Sequence, residues 1–313
     1  MKKSLLMLLA VALVGAGVTP TDVEAATKKK VVAAKKKAPR IAKQIAARKP
    51  VQRGASLDDA QHLALQSSAV LVLDQTTGAT LFEKNPNAVL PIASITKLMT
   101  AMVVLDAKPD LKEALVIAQD DVDMVKGTRS RLKVGTHLER EEMLRLALMS
   151  SENRAASALS RHYPGGREAF VAAMNQKART LGLADTRFQD ATGLTAANVS
   201  SPRDLARMVD AAHQYPLIRE FSTTSEGAFS IAGRTQQFRN TNTLVKNPTW
   251  EIGLSKTGYI NEAGKCLVMQ AWLNNKPTII VLLDSWGKMT RIGDVNRIKR
   301  WVESASLARP SAG

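Results

Sequence analysis

The sequence contains only one cysteine, Cys266, among 313 residues. A single thiol excludes an internal disulfide and a cysteine-based metal cluster. Cys266 lies in the apolar run 265–269, which predicts a buried strand and a core role rather than a reactive thiol. Histidines are also few and show no metal-ligand spacing; they are His62, His137, His162 and His213. We therefore expect no metal, no other cofactor and no serine–histidine–aspartate triad.

Long apolar runs are lacking after the first 25 residues. Residues 1–25 have a charged start at Lys2 and Lys3, an apolar stretch from Leu5 to Val18 and a possible cleavage site of small-residue type at 23–25. This pattern is typical of a cleaved secretory signal peptide, and the apolar stretch is short for a bilayer span. An uncleaved anchor is the alternative. We expect a soluble protein that is periplasmic or secreted, without a stable membrane span after signal cleavage.

Acidic residues are absent from residues 26–53, which contain 11 basic ones. The net charge of the whole chain is +16, and residues 54–313 retain only +5 of it. The basic stretch is rich in alanine and poor in aromatics, so we expect a flexible leader over residues 26–55. It is either a solvated linker or a contact to anionic envelope polymers or lipid headgroups. The secretory signal argues against nucleic acid as its partner.

The remaining residues, 56–313, predict one α+β domain. Two short apolar runs, 69–74 and 79–83, indicate a hairpin, and residues 106–250 are expected to be mainly helical and loop-rich. Three further strands are predicted at 252–260, 265–272 and 278–283, followed by a helix over 294–307. Because short turns join antiparallel neighbours, the sheet should take strands from both ends of the chain. A helical lobe is then inserted between them, with a cleft where it meets the sheet.

A possible nucleophile lies at Ser94, three residues before Lys97. Residues three apart on a helix share one face, and the apolar neighbours of Lys97 would bury its amine and lower its pKa. The same spacing recurs at Ser130/Lys133 and Ser285/Lys288, but neither of these leads into a helical pattern. The alternative for Ser94 is a buried helix-cap serine.

Two other short motifs contain polar groups suited to the same site. Ser151 and Asn153 flank one position at a predicted helix–helix corner, where Ser151 is suited to relaying a proton and Asn153 to binding a substrate amide. The alternative is a pair of helix caps. Lys256, Thr257 and Gly258 end a predicted strand, and the glycine would let the nucleophile helix or a ligand approach closely. The alternative is an ordinary edge strand.

Taken together in this order, the three motifs resemble those of the penicillin-recognising serine enzymes. Further likeness covers about residues 65–310 and is closest to the low-molecular-mass penicillin-binding proteins, in particular D-alanyl-D-alanine endopeptidases of the penicillin-binding protein seven type. The stretches that show it are 127–132, 163–166, 174–175, 181–183, 192–194 and 201–205. The resemblance implies a β-lactamase/transpeptidase-like fold, an antiparallel sheet with flanking helices.

The resemblance also implies a mechanism through an acyl-enzyme. Ser94 would attack the carbonyl of a D-alanine in a peptidoglycan stem peptide, Lys97 would accept its proton, and Ser151 would pass a proton to the leaving amine. Lys256, Thr257 and Gly258 would contribute to substrate binding, the first two by holding the carboxylate of the leaving D-centre. The amide groups of Ser94 and Tyr259 would form the oxyanion hole. β-Lactam antibiotics would acylate Ser94 and act as covalent inhibitors.

Three other functions remain open at this point. A D,D-carboxypeptidase differs only in the leaving group. Many D,D-carboxypeptidases of the family that this chain resembles carry an extra β-rich domain and a C-terminal membrane-binding helix. This sequence ends at Gly313 soon after the last predicted helix, so the resemblance favours an endopeptidase acting on D-alanine–diaminopimelate crosslinks. A serine β-lactamase needs an added water-activating carboxylate, and no clear segment for one is found between Asn153 and Lys256. A non-catalytic wall-binding protein is the third. The acidic Glu152 and the bulky Tyr259 depart from common patterns and bear on substrate preference.

Overall fold

The computed structural model describes residues 63–124, 126–287 and 289–307. The predicted signal peptide and basic leader lie outside these residues, as do the first seven residues of the predicted domain. The strands are β1 Ser67–Asp74, β2 Thr80–Lys84, β3 Leu90–Pro91, β4 Ala114–Val116, β5 His137–Glu139, β6 Val199–Ser200, β7 Glu226–Ile231, β8 Arg234–Arg239, β9 Glu251–Ile260, β10 Gly264–Leu273 and β11 Lys276–Ser285. The helices are α1 Thr96–Asp106, α2 Arg140–Met149, α3 Asn153–Arg161, α4 Gly166–Thr180, α5 Pro202–His213, α6 Pro216–Thr223 and α7 Thr290–Leu307.

A five-stranded antiparallel sheet forms the centre of the domain, in the order β2-β1-β11-β10-β9. The first and last strands of the chain therefore lie side by side, with Val72 opposite Ile280. This confirms the prediction that the sheet takes strands from both chain ends. Strand β9, which carries Lys256 and Gly258, is an edge of the sheet.

The central strands carry continuous apolar runs, such as residues 279–283 of β11, because both faces of the sheet are covered. Neighbouring residues on a strand point to opposite faces. Val268 accordingly packs in a core shared with the helical lobe, whereas Leu267 packs in a second core with α7. Both side chains are fully buried, and each such burial contributes about 1.5–3 kcal/mol. The two cores hold β9 and β10 firmly between helical layers.

Residues 106–250, which were expected to be mainly helical and loop-rich, contain the five helices α2 to α6. Helix α5 begins with a serine cap followed by a proline. Ser201 caps α5, since its Oγ accepts a hydrogen bond of 3.3 Å from the Asp204 amide. Cys266 is fully buried and its Sγ donates to the Ala263 carbonyl, which confirms the expected core position. Burial raises the pKa of this thiol to about 12.

Strands β7 and β8 form a hairpin that was not predicted, because residues 106–250 were expected to be mainly helical. Its turn places Ala232 and Gly233 at φ angles of +50° and +72°. Such two-residue turns favour asparagine or aspartate before the glycine, so an alanine gave no signal. Only Phe229, Ile231 and Phe238 of the hairpin are buried, too few for a clear alternating pattern.

No helix among the described residues has both the length and the apolar character needed to cross a bilayer. The same part of the chain contains no group of three histidine, cysteine, aspartate or glutamate residues placed to hold a metal ion.

Candidate active site

Ser94 lies on a short 3-10 turn, Ala93–Ile95, that leads directly into α1. Lys97 is in the first turn of that helix, and its Nζ is 2.9 Å from the Ser94 Oγ. The three-residue spacing therefore brings the two side chains together locally, as the sequence predicted.

The Lys97 amine is fully buried and has three oxygen neighbours. Besides Ser94, these are the Asn153 Oδ1 at 2.8 Å and the Thr192 carbonyl at 2.7 Å. Burial lowers the pKa of Lys97 from 10.5 to about 7, although the negative charges of Asp190 and Glu152 oppose part of this shift. A large fraction of the lysine is therefore neutral near neutral pH.

This arrangement directs the lone pair of the neutral lysine at the serine. A neutral amine has two N–H groups and one lone pair. The amide oxygen of Asn153 and the carbonyl of Thr192 can only accept hydrogen bonds, so they take both N–H groups. The Ser94 hydroxyl is the neighbour able to donate, and neutral Lys97 is thus placed to remove its proton.

Two glycines hold the nucleophile turn from opposite sides. A Cβ atom on Gly193 would lie 1.9 Å from the Ala93 carbonyl oxygen, and one on Gly258 would lie 2.7 Å from the Ile92 carbonyl oxygen. Ala93 itself has a φ of +47°, a strained conformation for a residue with a side chain. The predicted close approach at Gly258 is confirmed, and it aligns the turn with the end of β9.

Ser151 and Lys256 meet across the cleft. The Lys256 Nζ donates to the Ser151 Oγ at 2.9 Å and to the Thr257 carbonyl at 3.0 Å. Burial holds the pKa of Lys256 well below its ordinary value, and the nearby charges of Lys97 and Arg291 lower it further. Ser151 has a φ of +61°, so its backbone is also strained. The three sequence motifs are therefore brought into one site.

Asn153 and Thr257 have partners that the sequence did not suggest. The Asn153 side chain bridges two groups, since its Oδ1 accepts from Lys97 and its Nδ2 donates to the Thr128 Oγ1 at 3.1 Å. Asn153 therefore positions the Lys97 amine. The Thr257 Oγ1 lies 2.6 Å from the Oγ1 of Thr241, an exposed residue at the rim. Two hydroxyls are therefore available beside the buried lysine.

Tyr259 follows the glycine at the end of the motif and is 55% exposed. Its hydroxyl donates to the Asn261 Oδ1, and the Lys265 ammonium lies 4.2 Å from its ring centroid. The contacts of this side chain are thus with Asn261 and Lys265, outside the hydrogen-bond network of Lys97 and Lys256.

Several groups that complete the site had no predicted role. The Thr192 carbonyl contacts Lys97, and its loop is fixed by Asp190, which accepts from the amides of Thr192 and Gly193. Arg291 is partly buried and donates to the Gly258 carbonyl at 3.2 Å. A carbonyl has no side-chain signature, and Arg291 lies 33 residues after Gly258. For Thr192, only the likeness of 192–194 to a known family gave a signal.

The other two serines of this spacing have partners of a different kind. The Ser130 Oγ donates to the Glu152 carboxylate at 2.7 Å, and Lys133 is exposed. Ser285 is buried and its Oγ bonds that of Ser67 at 2.5 Å. Lys288 lies outside the described residues. Ser94, in contrast, is hydrogen-bonded to the buried amine of Lys97.

The sequence of the chain is similar to that of a known peptidase family and of its members. The family model described as "D-alanyl-D-alanine carboxypeptidase", Peptidase_S11, matches residues 56–287. The chain is 50% identical to a D-alanyl-D-alanine endopeptidase of Pseudomonas aeruginosa over 87% of each chain. It is 46% identical to a D-alanyl-D-alanine endopeptidase of Escherichia coli, over 82% of this chain and 84% of the relative.

The fold is likewise similar to a solved structure. The crystal structure of the Streptomyces K15 DD-transpeptidase superposes with a TM-score of 0.71 at 28% identity. The match covers 76% of this chain and 97% of that one. This confirms the expected β-lactamase/transpeptidase-like architecture, with an antiparallel sheet, flanking helices and an inserted helical lobe.

Proposed function

Because the chain belongs to the D-alanyl-D-alanine carboxypeptidase family of serine peptidases, we propose that it hydrolyses D-alanyl bonds of peptidoglycan stem peptides through an acyl-enzyme on Ser94. The observation that carries the proposal is the buried Lys97 amine. It lies 2.9 Å from the Ser94 Oγ, and its two other neighbours can only accept hydrogen bonds. A serine hydroxyl needs such a base to become a nucleophile.

In the first half-reaction, the Ser94 Oγ attacks the carbonyl carbon of the D-alanine and its proton passes to Lys97. The C–N bond of the tetrahedral intermediate then breaks. Ser151 gives its proton to the leaving amine. It regains a proton from the two lysines of the site, Lys97 and Lys256, of which Lys256 is hydrogen-bonded to it. The product is an ester between the stem peptide and Ser94. Water then hydrolyses this ester, and the proton returns to the Ser94 oxygen.

The developing oxyanion would be held by the amides of Ser94 and Tyr259. Gly258 allows the two chain segments to approach, since a Cβ there would lie only 3.2 Å from the Ser94 nitrogen. Arg291 donates to the Gly258 carbonyl, the other end of the peptide group that carries the Tyr259 N–H. This bond orients the peptide group and makes its N–H a stronger donor.

The carboxylate of the leaving D-centre would bind at Lys256 and Thr257, with Asn153 and the rim at Tyr259 contacting the acyl side. Both residues of the Thr257–Thr241 hydroxyl pair can donate once a carboxylate replaces their mutual hydrogen bond. The reaction needs no cofactor. β-Lactams carry a comparable carboxylate beside a strained amide and would acylate Ser94.

An endopeptidase acting on D-alanine–diaminopimelate crosslinks is the preferred form of this activity. Both relatives with 46–50% identity are named endopeptidases. A D,D-carboxypeptidase is the second candidate, because the family model carries that description. With a cleaved signal peptide, the enzyme would act in the periplasm or be secreted, where its polymeric substrate lies. The basic leader would contact anionic envelope polymers there.

Digestion of a purified crosslinked muropeptide dimer tests this proposal. Wild-type protein should convert the dimer to monomers, and the Ser94→Ala variant should not. Release of terminal D-alanine with the crosslink intact would establish the carboxypeptidase instead. If the wild-type protein releases neither product while penicillin still acylates it, the proposed natural activity is wrong.

Glu152 is expected to shift the acid limb of the pH profile. Burial lowers the pKa of Lys97 to about 7, and the negative charges of Asp190 and Glu152 oppose part of this shift. Lys97 acts as a base only when it is neutral, above that pKa. Glu152→Gln removes the Glu152 charge, so the pKa of Lys97 should fall and the limb, near pH 7 in the wild type, should move to lower pH. At pH 6, acylation by penicillin should be about two- to five-fold faster, from a partly screened charge interaction of ~0.4–1 kcal/mol. An unmoved limb, or one moved to higher pH, contradicts this.

A further inference from the structure

An ion pair joins the two walls of the cleft near its rim. Lys126 belongs to the loop on the helical side, and its ammonium pairs with the carboxylate of Glu262 in the turn after β9. The two side chains are 28% and 44% exposed, whereas Lys97 at the floor is fully buried. We call residues 126–128 together with Glu262 the strap.

The strap is connected to the catalytic lysine. Thr128, two residues after Lys126, accepts a hydrogen bond from the Asn153 Nδ2, and the Oδ1 of Asn153 accepts from Lys97. The Thr128 amide and hydroxyl both donate to the Asp123 carboxylate, which also accepts from the Lys126 amide. The loop end that carries Lys126 is thus ordered by several contacts.

These contacts form a closed circuit around one end of the site. From Ser94 it runs through the packing contact with Gly258, along β9 to Glu262, and across the ion pair to Lys126. It returns through Thr128, Asn153 and Lys97 to Ser94. Every link is covalent, a hydrogen bond or close packing except the exposed ion pair. The ion pair is therefore the link that opens at least cost, since exposed pairs are worth about 0.2–1 kcal/mol.

Residue order along β9 tells which part of the substrate the strap encloses. Under the proposed function, on which this inference rests, Lys256 and Thr257 hold the leaving group and Tyr259 lies at the scissile carbonyl. Glu262 lies further along the same direction and therefore beside the acyl stem. The acyl stem must leave the cleft at this end on its way to the glycan strand.

We propose that the strap is a selectivity element that admits stems with a free end and must open for crosslinked stems. A stem that ends in D-alanyl-D-alanine has one free end and can slide beneath the ion pair. A crosslink is attached to glycan on both sides, so it cannot thread through a closed circuit and has to enter sideways. The Lys126–Glu262 pair thereby sets the balance between carboxypeptidase and endopeptidase action.

Charge-removing variants of the mature protein test this. Lys126→Gln and Glu262→Gln should each raise the rate of crosslink release from intact sacculi about two- to five-fold relative to acylation by penicillin, a small ligand with free ends. The double charge swap K126E/E262K should restore the wild-type ratio. Lys112→Gln, which removes an exposed ion pair with Glu139 elsewhere, should leave the ratio unchanged. Across these variants, the rate of D-alanine release from a pentapeptide monomer should change in parallel with the rate of acylation by penicillin.

An unchanged ratio in both single variants overturns the proposal, as does a charge swap that behaves like the single variants. Equal losses of crosslink release and penicillin acylation would mean that the pair only supports the loop, which also overturns it. If wild-type protein is acylated by penicillin but releases neither crosslinks nor D-alanine, the proposed function itself fails and the strap proposal falls with it.

Discussion

Lys97→Arg is expected to lower the rate constant for acylation by penicillin by about 10²–10⁴-fold, the usual contribution of a general base. Arginine keeps the positive charge but stays protonated at any accessible pH, so it cannot take the Ser94 proton. Lys97 can do so because burial lowers its pKa to about 7. The measurement is the second-order acylation rate constant with a fluorescent penicillin.

Lys97→Met provides the matched variant for this prediction. Methionine has a similar length and lacks the amine. It also leaves the Asn153 Oδ1 and the Thr192 carbonyl without the lysine donor, so thermal unfolding is measured beside acylation to show that the variant is folded. Its acylation should be as slow as that of Lys97→Arg. If the methionine variant acylates within ten-fold of the wild-type rate, another group is the base and the proposed role of Lys97 is wrong.

Gly193→Ala is expected to lower acylation at least 100-fold and to destabilise the fold by about 1–3 kcal/mol. Gly193 has a φ of +80°, and a Cβ there would lie 1.9 Å from the Ala93 carbonyl oxygen. Because that carbonyl belongs to the turn that presents Ser94, the turn has to move, and a displacement of 1 Å at a reacting group can cost two orders of magnitude. Acylation kinetics and thermal unfolding measure the two effects.

Gly78→Ala separates backbone strain from displacement of the nucleophile. Gly78 has a similar φ of +71°, but a Cβ there would meet no atom within 4 Å. It should therefore cost about 1–2 kcal/mol of stability from the left-handed conformation alone and leave acylation unchanged. Equal loss of acylation in both variants would show that global destabilisation, and no local movement, explains the Gly193 result.

Local spacing and apolar pattern predicted the parts of the site that depend on near neighbours in sequence. Ser94 and Lys97 meet because they lie one helical turn apart, and Gly258 packs against the nucleophile turn as a glycine at the end of an edge strand can. The sheet was also predictable, since the continuous apolar runs of β10 and β11 require cover on both faces.

Contacts between distant segments could not be predicted from the residues alone. Lys97 has its third partner in a backbone carbonyl, Thr192, 95 residues away, and backbone groups are the same in every sequence. Asn153 was expected to contact substrate, whereas the structure shows it also bridging Lys97 and Thr128. Only the fold decides which of several possible partners a polar side chain finds.

The most direct test of the central claim is to map the adduct after wild-type protein reacts with a labelled penicillin. Mass spectrometry of the digested protein should find the penicilloyl group on Ser94, and the Ser94→Ala variant should carry none. The Ser285→Ala variant should be labelled on Ser94 as the wild type is, because Ser285 is buried and its hydroxyl is hydrogen-bonded to that of Ser67. An adduct on another residue, or labelling that survives Ser94→Ala, would contradict the assignment of Ser94 as the nucleophile.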